Sequence, residues 1–100
     1  MQEYLYKLQL ARKDMLLTGP SETEQAVVSE HFAYLQDLTA KGAVIFVGRT
    51  LTTDENTMGL AVFRAESKEA ARQIMNDDPV VKKGVMTATL YPFRVVLQGQ

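Results

Sequence analysis

Along this chain the spacing of apolar residues switches between the two-residue repeat of a strand and the 3.6-residue repeat of a helix, in the order β-α-β-β-α-β. Tyr4, Tyr6, Leu8 and Leu10 alternate with more polar neighbours, which predicts a strand from Tyr4 to Ala11. Thr18-Gly19-Pro20 punctuates a loop. Ser21 followed by Glu24 has the form of a capping box, with Thr23 as a competing cap. Between Glu22 and Lys41 the positions Val27, Val28, His31, Tyr34, Leu35 and Leu38 keep helical spacing. Ser29, Ala33, Gln36, Asp37 and Ala40 take the opposite side, and Gly42 closes the helix. Ala43 to Val47 is a β-rich run ending at Gly48-Arg49, Thr52 to Thr57 is a turn, and Gly59 to Ala65 completes a hairpin. Ser67 caps a second helix with Ala70, Ala71, Ile74 and Met75 as its stripe, and Pro79 bars its continuation. Val80 to Lys83 adds one loose turn before Gly84. Val85 to Leu97 is extended, and its Pro92 suits an edge strand or a bulge. This is the split βαβ order of an α+β domain, and 100 residues fit a single domain over residues 1–100.

Two helices cover one face of a four-stranded sheet, yet both faces of these strands carry apolar groups. Strict alternation puts Ile45 and Val47 on one face and Val44 and Phe46 on the other; Leu60 and Val62 oppose Ala61 and Phe63. An uncovered apolar face of that size is normally hidden by a partner, so the expectation is a homodimer formed sheet against sheet.

Composition excludes several chemistries. With no cysteine there are no disulfides, thiolate nucleophiles or zinc ribbons, and a single histidine cannot build a multi-histidine metal site. No cofactor is expected. A net charge of −1 with Lys and Arg dispersed, Arg12-Lys13 and Lys82-Lys83 being the largest clusters, leaves no footprint for nucleic acid. No apolar run approaches the roughly 18 to 20 residues that span a bilayer. Lys7 and Gln9 interrupt the first strand, so it is no signal-peptide core, and a cytoplasmic location is the default expectation. Gly19 and Gly48 lack the spacing and the following lysine of a phosphate loop.

The residue pair with chemical content is His31 and Asp78. His31 sits in the middle of the apolar arc of the first helix and faces the sheet, where an imidazole needs a polar partner. Extending the second helix past Met75 puts Asp78 on its inward side. Taking both helices to run the same way across the sheet, His31 lies ten residues after Ser21 and Asp78 eleven after Ser67, at similar heights for a rise of about 1.5 Å per residue. A carboxylate bonded to one ring nitrogen fixes the tautomer and makes the other nitrogen a better base. The same contact also serves simply to satisfy a buried histidine, and spacing leaves both readings open. Ser29 points away from His31, and Asp77 is read as solvated. Tyr4 and Tyr6 are core by strand spacing, with the Tyr6 phenol a candidate pocket-lining, substrate-binding group. Arg49 is either a surface charge or a planar fork for a substrate carboxylate.

Several of these pieces, in this order, resemble the YciI-like (YCII-related) family. They are His31 followed by Leu35, Lys41 before the strand from Gly42 to Gly48, Ser67 with Glu69-Ala70-Ala71, Asp78-Pro79 followed by Val81 and Gly84-Val85, and Pro92-Phe93. Together they cover about Tyr4 to Val96. The resemblance implies a ferredoxin-like fold assembling as a dimeric α/β barrel, and a histidine–aspartate active-site pair that maps onto His31 and Asp78. Some relatives act on aromatic-degradation intermediates, for example as dehydrochlorinases. This chain departs from the family in its longer Arg12–Thr23 segment, and in Arg49 where relatives often carry proline.

The expected function is proton transfer by a metal-free His31–Asp78 dyad on a small cyclic or carbonyl-bearing molecule, as elimination or isomerisation. The alternatives are a dimeric module that holds a small ligand in the same pocket without turnover, and a structural dimer with a satisfied core histidine. A pocket beside His31 that reaches solvent separates the first two from the third.

Overall fold

The alternating Tyr4, Tyr6 and Leu8 bury one side of β1 (Gln2–Leu10), and that side anchors the rest of the computed structural model, which describes residues 1–99. The Arg12–Thr23 segment, read from sequence as loop, contains a single helical turn, α1 (Met15–Thr18). One turn is too short to show a periodicity of its own, and its only fully buried anchor is Met15. α2 (Glu22–Ala40) starts from a complete capping box. Glu24 N–H donates to Ser21 Oγ at 3.1 Å and Ser21 N–H donates to Glu24 Oε1 at 2.8 Å, so Ser21 is the cap and Thr23 is not. After α2 the chain leaves helical geometry at Gly42, whose φ of +81° lies in the left-handed region that favours glycine.

β2 (Val44–Arg49) and β3 (Gly59–Ala65) form the expected hairpin. α3 (Lys68–Asp77) is capped by Ser67, whose Oγ accepts from Ala70 N–H. A further turn, α4 (Pro79–Lys82), precedes β4 (Met86–Phe93). The sheet is antiparallel in the order β2-β3-β1-β4, which with this element order is the ferredoxin-like arrangement. Pro92 sits on edge strand β4, where its missing N–H costs no ladder bond on the solvent side. Among the described residues no helix is long and apolar enough to cross a membrane.

In helix direction and in strand register the structure differs from the sequence expectation. The helices do not run the same way. β1 and β2 are each antiparallel to β3 and therefore parallel to each other, so α2, which joins them, must return against their direction. By the same argument α3, joining β3 to β4, runs along β1, and the helices are antiparallel. His31 keeps its height regardless, because it is the tenth of the 19 residues of α2 and reversing the helix leaves its midpoint in place.

The second difference is a β-bulge. Val44 pairs with Phe63 and Phe46 with Val62, leaving Ile45 as the extra residue. The insertion shifts the alternation by one. Val44 turns to the helix side, where it is buried in the core, and Phe46 turns to the bare side, where it stays 46% exposed. Val47, opposite Ala61, shares the helix side with Val44, so neither predicted pairing of these four residues holds.

The core fills the space between the sheet and the helices: Tyr4, Tyr6, Leu8, Val44, Ala61 and Phe63 from the strands, Val27 and Leu35 from α2, Ala71, Met75 and Val80 beyond. The other side of the sheet carries a row across all four strands, Tyr91–Leu5–Val62–Phe46. Within the row Val62 is fully buried, whereas Phe46 and Tyr91 at its ends stay exposed.

Candidate active site

Three elements converge on Asp78. Asp78 ends α3 and caps α4, because Pro79 stops the first helix and is well suited to the first position of the second. Its Oδ1 accepts from Val80 N–H at 3.2 Å, which holds the carboxylate at the start of α4. From β1, Tyr6 Oη donates to Oδ2 at 2.7 Å. From α2, His31 Nδ1 lies 2.7 Å from Oδ1 and 2.8 Å from Oδ2, bisecting the carboxylate. Asp78 is fully buried and His31 retains 14% of its side-chain exposure.

The proton positions follow from donor and acceptor chemistry. Carboxylate oxygens already accepting from Tyr6 and Val80 offer only lone pairs, so Nδ1 carries the ring proton and donates it. In the neutral ring, Nε2 is then the acceptor. Nε2 has no partner among the described residues, and none of their fully buried side-chain polar atoms lacks one, so Nε2 reaches solvent. An imidazole held by one nitrogen and open at the other is equipped to take a proton and return it.

Neighbouring polar groups are occupied. Glu30, beside His31 in sequence, is paired with Lys83 at 2.8 Å, tying α2 to the residue after α4. Tyr34 Oη donates to the Ile74 carbonyl at 2.7 Å and joins α2 to α3; its phenol is pushed up to about 12, mainly by burial and then by the charges of Asp77 and Asp78. Burial, followed by the charge of Asp78, pushes the Tyr6 phenol well above the ordinary tyrosine range. The raised phenol keeps its proton, in line with the bond it donates to Asp78.

The structure brings His31 and Asp78 together within hydrogen-bond distance. It does not make Tyr6 a pocket-lining group. The ring is fully buried, packed edge-on against Phe63 with centroids 5.6 Å apart, and its hydroxyl is spent on Asp78. Strand alternation put Tyr6 in the core; that its hydroxyl meets a residue 72 positions away had no local signal. Arg49 stays at the loop end of edge strand β2, exposed, opposite Gly59 and two strands from Tyr6; it makes no hydrogen bond or ion pair among the described residues. Two clefts are formed elsewhere: one of about 650 Å³ among Gln2, Glu3, Phe93 and Arg94, one of about 570 Å³ among Gln9, Lys13, Asp54 and Thr87. Neither includes His31, so the pocket expected beside it is not one of these two clefts. Among the described residues no three His, Cys, Asp or Glu side chains group as metal ligands would.

At the entrance to α2, Arg12 forks onto Glu24 at 2.7 and 3.2 Å and also donates to the Gly19 carbonyl, clasping the α1 segment to the helix. The guanidinium, aided by the Ser21 backbone N–H, holds the Glu24 carboxyl down to about 2.

Comparison with known proteins bears on this geometry. The model of the YCII-related domain matches residues 5–94. Among solved structures, the chain is similar to 5-chloro-2-hydroxyhydroquinone dehydrochlorinase from Burkholderia phenoliruptrix, determined in complex with 2,5-dihydroxybenzoquinone. The TM-score is 0.65 at 19% identity, covering 91% of this chain and 93% of that one, a likeness of fold. A dimeric ferredoxin-like protein from an uncultured marine organism aligns with a TM-score of 0.48 at 15% identity, over 100% of this chain and 99% of that one. No curated protein matches.

Proposed function

The chain belongs to the YCII-related domain family, and on that footing we propose that it is a small enzyme whose His31, oriented by Asp78, moves a proton on a small cyclic or carbonyl-bearing molecule in an elimination or isomerisation. One observation carries the reading: the ring's Nδ1 is bound by a buried carboxylate while Nε2 has no partner among the described residues and meets solvent. Elimination needs a base that removes a proton as the leaving group departs, and a single oriented imidazole supplies it. Dehydrochlorination, the reaction in the name of the similar solved protein, is of that class and supports the choice.

The test is turnover. Halogenated hydroxyquinols and related hydroxylated rings are offered to the protein while chloride release and absorbance are followed. Turnover in the wild type and a loss of roughly 10²- to 10⁴-fold in His31→Gln is the expected result. An unchanged rate in that variant defeats the proposal. A second reading, a module that binds a small ligand without turnover, draws on the two clefts, neither of which borders His31. Binding measured by calorimetry with no product formed would favour it.

We infer further that the protein works as a homodimer through the face bearing Tyr91, Leu5, Val62 and Phe46. That face lies across the sheet from Asp78, so the two protomers would each keep their own His31.

A further inference from the structure

Tyr6 belongs to no ligand surface, yet it spends a buried hydroxyl on the one carboxylate that holds His31. Asp78 has three donors, and they are not equivalent. Val80 N–H is the longest at 3.2 Å and belongs to the chain's own turn. His31 Nδ1 reaches both oxygens. Tyr6 alone opposes His31 from the sheet side, and it is held there by its T-shaped contact with Phe63. The other nearby polar groups are committed elsewhere, Tyr34 to the Ile74 carbonyl and Glu30 to Lys83.

We propose that Tyr6 is a positioning residue of this site, which keeps both oxygens of Asp78 facing Nδ1 and moderates how strongly the carboxylate grips the ring. The inference rests on the reading of His31 as the proton-transfer group. A hydrogen bond donated to a carboxylate draws charge from it and weakens its other bonds. A grip without that competitor would favour a proton held on the ring, whereas a shuttling base must also release it. Tyr6 acts through Asp78 and touches no substrate.

The single histidine makes the test direct, because the imidazole nitrogens give one set of signals. The protein is labelled with ¹⁵N at histidine, and the Nδ1 proton and the two nitrogen shifts are recorded. The wild type should show the Nδ1–H tautomer; a neutral ring protonated on Nε2 would defeat the dyad itself, apart from any role of Tyr6. In Tyr6→Phe, Asp78 loses the competing donor, and the Nδ1 proton should move downfield. With 3-fluorotyrosine at position 6, a more acidic phenol and a stronger donor, it should move upfield. A residue that only fills the core would not move this signal in opposite directions. An Nδ1 resonance unmoved by both changes, or moved the same way by both, overturns the proposal while leaving the dyad intact. Should Tyr6→Phe fail to fold, the fluorinated protein decides alone: an upfield shift supports the inference, and any other result defeats it.

Discussion

The two faces of the sheet are made from the same four strands and solve burial differently. On the helix side, Tyr4, Tyr6, Ala61 and Phe63 pack beneath α2 and α3, and Asp78, the one buried charge-bearing group among the described residues, is bonded to Tyr6, His31 and Val80. On the other side, the Tyr91–Leu5–Val62–Phe46 row lies between Glu3 and Arg64 on one flank and Lys7 on the other, with Tyr91 and Phe46 each more than 40% exposed. One face is complete within a single chain; the other calls for a second. Polar atoms can be buried where several elements converge to satisfy them, and a bare sheet face offers no such convergence. The candidate site therefore lies among the helices, and the bare face is the one left for the proposed assembly.

If that division is right, damage to each face has a distinct signature. Asp78→Ala should cost the most stability, about 3 to 5 kcal/mol in urea unfolding, since it leaves the Tyr6 hydroxyl and His31 Nδ1 unpaired and uncaps α4. A loss under about 1 kcal/mol would mean the helix side is less tightly completed than its bonds imply. Phe46→Asp should leave unfolding of the single chain nearly unchanged. It should weaken the proposed dimer by about 2 kcal/mol or more, seen by sedimentation as a shift toward an 11.2 kDa species. A dimer that persists would place the interface elsewhere. Tyr34→Phe removes one bond between α2 and α3, and about 1 kcal/mol of stability should go with it without any change in assembly.

The smallest effect concerns the Arg12–Glu24 clasp. Its carboxyl is held below the ordinary value of 4.5, so its contribution is whole above about 4.5 and is lost as pH falls through about 2. Amide exchange of Met15 to Gly19 should stay constant from neutral pH down to about 4.5, after allowance for intrinsic rates, and accelerate below it. Salt should weaken the protection, because the pair is partly exposed. Glu24→Gln should flatten the pH response; a response that persists would assign it to another group.

What sequence revealed divides along the line between local and distant causes. The Ser21–Glu24 box, the Ser67 cap, the stop at Pro79 and the alternation of β1 are written within a few residues and were readable. His31 facing inward and Asp78 closing α3 were readable for the same reason. Their meeting was reached through a wrong direction for the helices, and held because His31 is central in α2. The bulge at Ile45 left no mark in an unbroken apolar run, and it parted Val44 from Phe46, which strict alternation puts on one face. The Tyr6 hydroxyl on Asp78 depends on β1 and α4 being brought side by side by the whole fold, so no window of sequence contains it.

Asp78 is at once the end of one helix, the cap of the next and the partner of His31. Selection acting on it is consequently double: a lineage that abandoned the chemistry would still keep the aspartate to preserve the turn. His31 caps no helix, and the one polar tie of its ring is to Asp78. On the proposed function, drift at position 31 while position 78 stays fixed is the pattern expected of a lineage that lost the chemistry.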